Sequence, residues 1–207
     1  ITQSFSLGPI EQTGSALDVA ITGDGFFTTR SAISGMTSYT RAGSFALQGD
    51  GRIADSDGNV LQVFAVNPGG TINTGSMGDA TIAPANANGA EFAGVSIGAN
   101  GLVSASYADG TVEPVGSVAL ASFVAPTGLK KIGNANWEST GISGPASYGS
   151  PGEAQYGTLL SGALERSNVD IAEELVSLIT AQRNFQANAK AIDTATQISQ
   201  TVINLRT

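Results

Sequence analysis

The chain has 207 residues, no Cys and no His, and 17 acidic against 9 basic residues, for a net charge of −8. Without Cys and His there are no disulfides, thiol nucleophiles, imidazole bases or commonest zinc ligands. The acidic balance excludes a nucleic-acid surface, because phosphates demand basic side chains.

Residues 1–66 alternate short apolar runs with turn signals. Leu17 to Ile21 reads as an alternating strand, Gly23-Asp24-Gly25 as a turn, and Phe26 to Thr29 as the returning strand. Thr37 to Arg41, Ser44 to Leu47 and Val60 to Val66 follow, punctuated by Asp50-Gly51 and Asp57-Gly58, pairs that suit tight hairpins. Residues 67–93 are small, polar and almost uncharged, and read as a connection or small insertion, with a short strand over Ala80 to Ala83. Hairpin grammar resumes at Val95 and runs through Asn100-Gly101, Asp109-Gly110 and the apolar stretch Val118 to Phe123. Residues 1–66 and 94–143 are therefore expected to form one discontinuous β domain. Residues 144–166 read as a Gly-rich linker with few large apolar groups.

All 27 glycines and 7 prolines precede Ser167. Residues 167–207 are thus expected to form a single helix, about 60 Å long at 1.5 Å per residue. Ser167, Asn168 or Asp170 can cap it, and Asp170, Glu173 and Glu174 suit the positive end of its dipole. Arg206 suits the last turn. Ile171, Leu175, Leu178, Phe185 and Ile192 recur at helical spacing, and Ala195, Ile198, Val202 and Leu205 continue the pattern with a slip of register. The small residues Ala189, Ala191 and Ala195 allow close approach of another helix. A helix longer than a small domain is wide is expected to pack on something beyond its own domain. The fold class is mainly β with one long C-terminal helix that forms coiled-coil contacts.

Candidates for chemistry are few. Asp55-Ser56-Asp57-Gly58-Asn59 resembles the start of a calcium loop but lacks its terminal Glu, since Val66 stands there. It reads as a β-turn. The Gly-Asp-Gly turns are followed by no Lys-Ser/Thr pair of a phosphate loop. Asp18 and Asp24 are the one carboxylate pair to consider, and Trp137 with Tyr148 the one aromatic platform for a sugar. A lone Trp closing a β domain is more often a core plug. Neither an enzyme, a cofactor nor a metal is expected. No apolar run is long enough to cross a membrane, and no cleavable signal is recognisable. The chain opens at Ile1, without Met, inside an apparent strand, so a further N-terminal segment is expected to precede it.

Several separated motifs together resemble the bacterial flagellar axial proteins, the rod and hook subunits. They are Gln3 to Gly8, Leu17-Asp18-Val19-Ala20-Ile21-Thr22-Gly23-Asp24-Gly25-Phe26-Phe27, Tyr39 to Phe45, Asp57 to Leu61, Leu159 to Asp170, and Ala181 to Asn188 with Gln182, Arg183 and Asn188. The resemblance covers nearly the whole chain except 67–93. It departs from the family in lacking the N-terminal helix and a large second β domain. It implies a self-assembling tubular subunit, with the helix lining an inner tube and the β domain forming the outer wall. It also implies export through the flagellum's own channel without a cleavable signal. The implied partners are copies of itself, other axial, capping and junction proteins, and the export apparatus, with no nucleic acid and no membrane insertion. Gln182 to Asn188, Thr201 to Arg206 and the Tyr107 to Gly110 hairpin read as hook-like. The expected role is therefore the extracellular hook, a flexible joint that transmits motor torque. The alternative is a periplasmic rod subunit, and a weaker third reading is a secreted glycan-binding module.

Overall fold

The computed structural model describes residues 3–67 and 70–204, without the side chains of Val202 and Ile203. The chain divides into two units, residues 1–167 and 168–207.

The first unit is antiparallel β structure. It begins with β1 (Ile10–Gln12), β2 (Val19–Thr22), β3 (Phe26–Ser31) and β4 (Thr37–Thr40). Next come β5 (Ala46–Leu47), β6 (Ile53–Ala54), β7 (Asn59–Val66), β8 (Ile72–Asp79) and β9 (Phe92–Ile97). They are followed by β10 (Leu102–Tyr107), β11 (Val112–Val118), β12 (Leu120–Ser122), β13 (Lys130–Gly133) and β14 (Asn136–Glu138). Last are β15 (Ser147–Gly149), β16 (Thr158–Ser161) and β17 (Ala163–Glu165). The main sheet runs β13-β14-β4-β3-β7-β11-β10-β9, with β8 also on β7 and β12 joining β3 to β15. Strands from both sides of residues 67–93 therefore share one sheet through the β7–β11 pairing. They also share one core, in which Phe27 and Leu61 meet Val103, Val118 and Leu120. A second cluster gathers Phe26, Tyr39, Ala121 and Leu129, with Phe5, Phe123 and Trp137 packed against it.

Three sequence expectations need correction. Residues 67–93 are not a loose connection. They supply β8, whose backbone pairs with β7, and they bury Ala80 and Ile82 in the core. Asn86 organises the loop before β9: its Oδ1 accepts from the amides of Asn88 and Ala90, and its Nδ2 donates to Asp109 and Thr111. Hydrogen bonds from the Thr111 hydroxyl and amide, and from Asn86, hold the Asp109 carboxyl down at about 2. The segment looks like a loop in sequence because β8 exposes most of its side chains and carries no apolar period.

Residues 144–166 are not a linker either. β15 pairs with β12, β16 with β2, and β17 with β1. Here glycine reflects backbone crowding. A Cβ on Gly157 would lie 2.7 Å from the Thr22 carbonyl oxygen. Tyr156, Leu159 and Ala163 from this stretch are buried. Finally, β2 does not alternate: Val19, Ala20 and Ile21 are all buried, so the strand is covered on both faces.

Gly43 shows how tightly β2 is enclosed. The Val19 amide donates to the Gly43 carbonyl at 2.9 Å, and a Cβ on Gly43 would fall 1.6 Å from the Val19 carbonyl oxygen. The obstacle is backbone, which cannot rotate away. Gly43→Ala is expected to lower the stability of the β unit by about 1–3 kcal/mol or more, read by chemical denaturation. An unchanged midpoint would show that this crossing opens at little cost.

The second unit is one helix, α1 (Ile171–Asn204), of 34 residues and about 51 Å in length. Its first helical residue lies four positions after Ser167, so the helix starts about one turn later than expected.

Candidate assembly surfaces

The helix carries its apolar residues in the open. Every described residue from 171 to 201 is exposed. Phe185 is 76% accessible, Ile192 67% and Leu178 54%.

Its start is fixed by Asp170. One carboxylate oxygen accepts from the Ala172 amide at 2.8 Å and the Glu173 amide at 3.4 Å. This satisfies two of the first-turn donors that a helix leaves without partners. Of the three expected caps, Asp170 thus makes these first-turn contacts. Glu173 and Glu174 follow in the first turn. Four threonines, Thr180, Thr194, Thr196 and Thr201, donate their hydroxyls back to the carbonyls of Val176, Lys190, Ile192 and Gln197.

The expected single stripe becomes two faces. At about 100° per residue, Ile171, Leu175, Leu178, Phe185 and Ile192 fall within an arc of roughly 100°. Because the helix is continuous through this region, Ala195 falls about 60° and Ile198 about 120° beyond the edge of that arc. The apolar surface thus moves round to another side of the helix after Ile192. The Val202 side chain, Leu205 and Arg206 lie outside the described residues. Of the motif positions, Gln182, Arg183 and Asn188 all lie on this exposed helix.

The remaining motif residues lie in the β unit. Leu17 packs against the main core, Phe27 lies within it, and Phe26 belongs to the second cluster. The carbonyl of Asp18 accepts from the amides of Gly162 and Ala163. Gly23 and Gly25 open and close the turn between β2 and β3. Their carbonyls accept from the Arg41 guanidinium at 3.1 and 3.0 Å. Arg41 Nε also donates to Glu165 Oε2 at 3.0 Å, in an ion pair whose side chains are only 11% and 9% exposed. The other Glu165 oxygen accepts from the Gly8 amide. Beside it, the Arg166 amide donates to the Pro9 carbonyl and its guanidinium pairs with Glu11. The first and last strands of the unit are thus clamped together around one buried ion pair. The sequence contains Arg41 and Glu165 in separate motifs, but nothing in either motif announces their partnership.

The candidate chemistry does not converge. Among the described residues no three Asp or Glu side chains gather as a metal site. Asp55 accepts from the amides of Asp57 and Asn59, as in a turn. Trp137 packs edge-to-face on Phe5 and Phe26 and donates its ring N–H to Gln3. The Tyr148 hydroxyl bonds that of Tyr39. Trp137 is spent on packing rather than presented as a platform.

Two family models match the chain. One, described as the flagellar hook protein FlgE/F/G D1 domain, covers residues 20–105, and the other, the flagellar basal body rod FlgEFG protein C-terminal, covers residues 160–205. The flagellar basal-body rod protein FlgG of Bacillus subtilis is 38% identical over 202 residues, covering 97% of this chain and 69% of that protein. The chain belongs to the flagellar axial protein family. Its role is structural, since the matched family and relatives are rod and hook proteins rather than enzymes. The rod protein FlgG of Caulobacter vibrioides is 39% identical over 94% of the chain. The hook protein FlgE of Escherichia coli is 44% identical, but over 52% of this chain and 27% of that protein. This axial chain spans about two thirds of the length of the rod relatives and a smaller part of the hook relatives. The expected leaning toward the hook is therefore not what coverage favours. Arg41 lies in the first matched region and Glu165 in the second, so the buried ion pair ties the two together. No helix among the described residues is long and apolar enough to cross a membrane.

Proposed function

We propose that this axial chain is a subunit of the flagellar rod, built into a tube with copies of itself. The observation that carries the rod reading is the extent of similarity: rod relatives match 94–97% of the chain, hook relatives 52–65%. In this reading α1 packs in the inner tube, and its two apolar faces meet different neighbours, as a helix inside a closed layer must. The β unit forms the wall outside it. Residues 67–93 act as part of that wall, since they complete the sheet and carry no second domain. Other axial, capping and junction proteins and the export apparatus would be its further partners.

A second reading, the hook, rests on the higher identity of the shorter match, 44% over 107 residues. Electron microscopy of the full chain at high concentration separates the two. Straight rigid tubes are expected. Curved tubes that change their bend would favour the hook, and the absence of any polymer would count against both.

A further inference from the structure

Residues 3–8 cross the second aromatic cluster without forming a strand. Gln3 and Phe5 are half-buried against it, whereas Ser4, Ser6 and Leu7 are exposed. From Gln3 to Ser6 this is the in-and-out alternation of an extended segment. On the outer side the Ser4 and Ser6 hydroxyls meet at 3.0 Å. On the inner side the Trp137 ring N–H donates to Gln3 Oε1 at 2.7 Å, and Gln3 Nε2 donates to the Leu129 carbonyl at 3.3 Å. The Phe5 ring stands edge-on to Phe26 and Trp137, with centroids 5.4 and 5.5 Å away.

The floor under these two side chains is built by strands paired with one another. Phe26 lies on β3, Tyr39 on β4, Ala121 on β12 and Trp137 on β14. One flank of Phe5 is open. It borders a cavity of about 440 Å³, shared with Phe26, Arg41, Phe123, Pro126 and Pro145. A ring with a void on one side forgoes the dispersion contacts it would make there. From Pro9 onward the attachment changes: the Pro9 carbonyl accepts from the Arg166 amide, and β1 pairs with β17. Gly8 stands at the boundary, with its amide on Glu165. Glycine has the widest backbone freedom of any residue.

We infer that residues 3–8 are a latch over a peptide slot. The strap swings about Gly8, and the slot it leaves takes an extended segment carrying a side-chain amide and, two residues on, an aromatic ring. The strap itself displays the recognition chemistry. The Trp137 N–H needs an acceptor and the Leu129 carbonyl a donor, and one side-chain amide supplies both. Phe26 and Trp137 accommodate one further ring edge-to-face. A tethered strap competes with any other segment at an effective concentration on the order of millimolar. The slot is therefore filled in cis by default and receives a partner segment only when the strap is released. This goes beyond the tube reading and does not depend on it.

The test uses the full chain, in which Trp137 is the only tryptophan and so reports the slot directly. In the wild type the Trp137 indole N–H is expected to be protected from hydrogen exchange at least about tenfold less than the Thr28 amide, which donates to Ala119 inside the sheet. Equal protection would mean that the strap leaves only when the unit unfolds, and would overturn the proposal. Phe5→Ala is expected to shift Trp137 emission to the red. The hexapeptide Gln-Ser-Phe-Ser-Leu-Gly should restore that emission. It should also bind Phe5→Ala protein at least about tenfold more tightly than wild type, whose own strap competes. The same peptide with Ala in place of Phe should lose this binding. No binding of the hexapeptide to Phe5→Ala protein, or equal binding of the two peptides, would overturn the proposal. So would loss of the melting transition of the β unit in Phe5→Ala, which would make Phe5 part of the core rather than a latch.

Discussion

Phe185→Asp protein is expected to form no tubes while its β unit melts where the wild type does. Phe185 is the most accessible large residue of the first helical face, at 76%. In the proposed tube that face would be covered, and burial of an unpaired carboxylate there costs several kcal/mol. The same cost recurs at every subunit, so closure fails outright rather than weakening by degrees. Leu178→Asp, one heptad earlier on the same face, should behave identically. Gln186→Glu is the control, because it adds the same charge at the border of the face. Electron microscopy and sedimentation give the first readout, and thermal melting the second. Normal tubes from Phe185→Asp would remove this face from the assembly contact. Loss of the β unit would instead make the helix part of that unit's own core.

Breaking the Arg41–Glu165 pair from one side is expected to have the largest effect on folding. Arg41→Ala removes three donated hydrogen bonds and leaves the Glu165 carboxylate buried without its cation. Breaking a buried pair in this way costs about 3–5 kcal/mol. Glu165→Ala should cost a similar amount, and it also strands the Gly8 amide. Replacing both, Arg41→Met with Glu165→Leu, should recover much of the loss, because two apolar groups leave no charge behind. The measurement is chemical denaturation of all three variants, with protease sensitivity near residues 8–12 as a local probe. If the two single variants melt like the wild type, the clamp is ornamental, and the chain ends are held by the β1–β17 pairing alone.

The contrast between these two sites shows what could be seen in the sequence. The helix face was visible because it needs only local counting: glycine and proline are absent after Ser167, and apolar residues recur every three or four positions. The hairpins around Asp57-Gly58 and Asp109-Gly110 were visible for the same reason, since a turn is written in adjacent residues. The Arg41–Glu165 pair joins positions 124 apart, and no local pattern encodes that. β8 was hidden because most of its side chains are exposed and it joins β7 through the backbone, with an irregularity between Asn73 and Met77. β15 to β17 were hidden because their glycines look flexible in sequence, whereas Gly149 sits against the Tyr156 ring and Gly157 against the backbone of Thr22 and Gly23, too close for any side chain. The helix start was misplaced by one turn because Ser167, Asn168 and Asp170 are all competent caps, and only the backbone decides among them.

The four threonines of α1 carry a consequence for movement. Each hydroxyl is already bonded to the carbonyl one turn back. Such a residue presents a methyl group outward and asks nothing of its neighbour. Placed between helices it behaves like valine, yet in water it stays soluble. Thr196 falls close in direction to Leu178 and Phe185, so it extends the first face past the point where the large apolar residues leave it. A contact of this kind has no hydrogen bonds to break when one helix glides along another. The packing can then be tight in cross-section and slippery along its length.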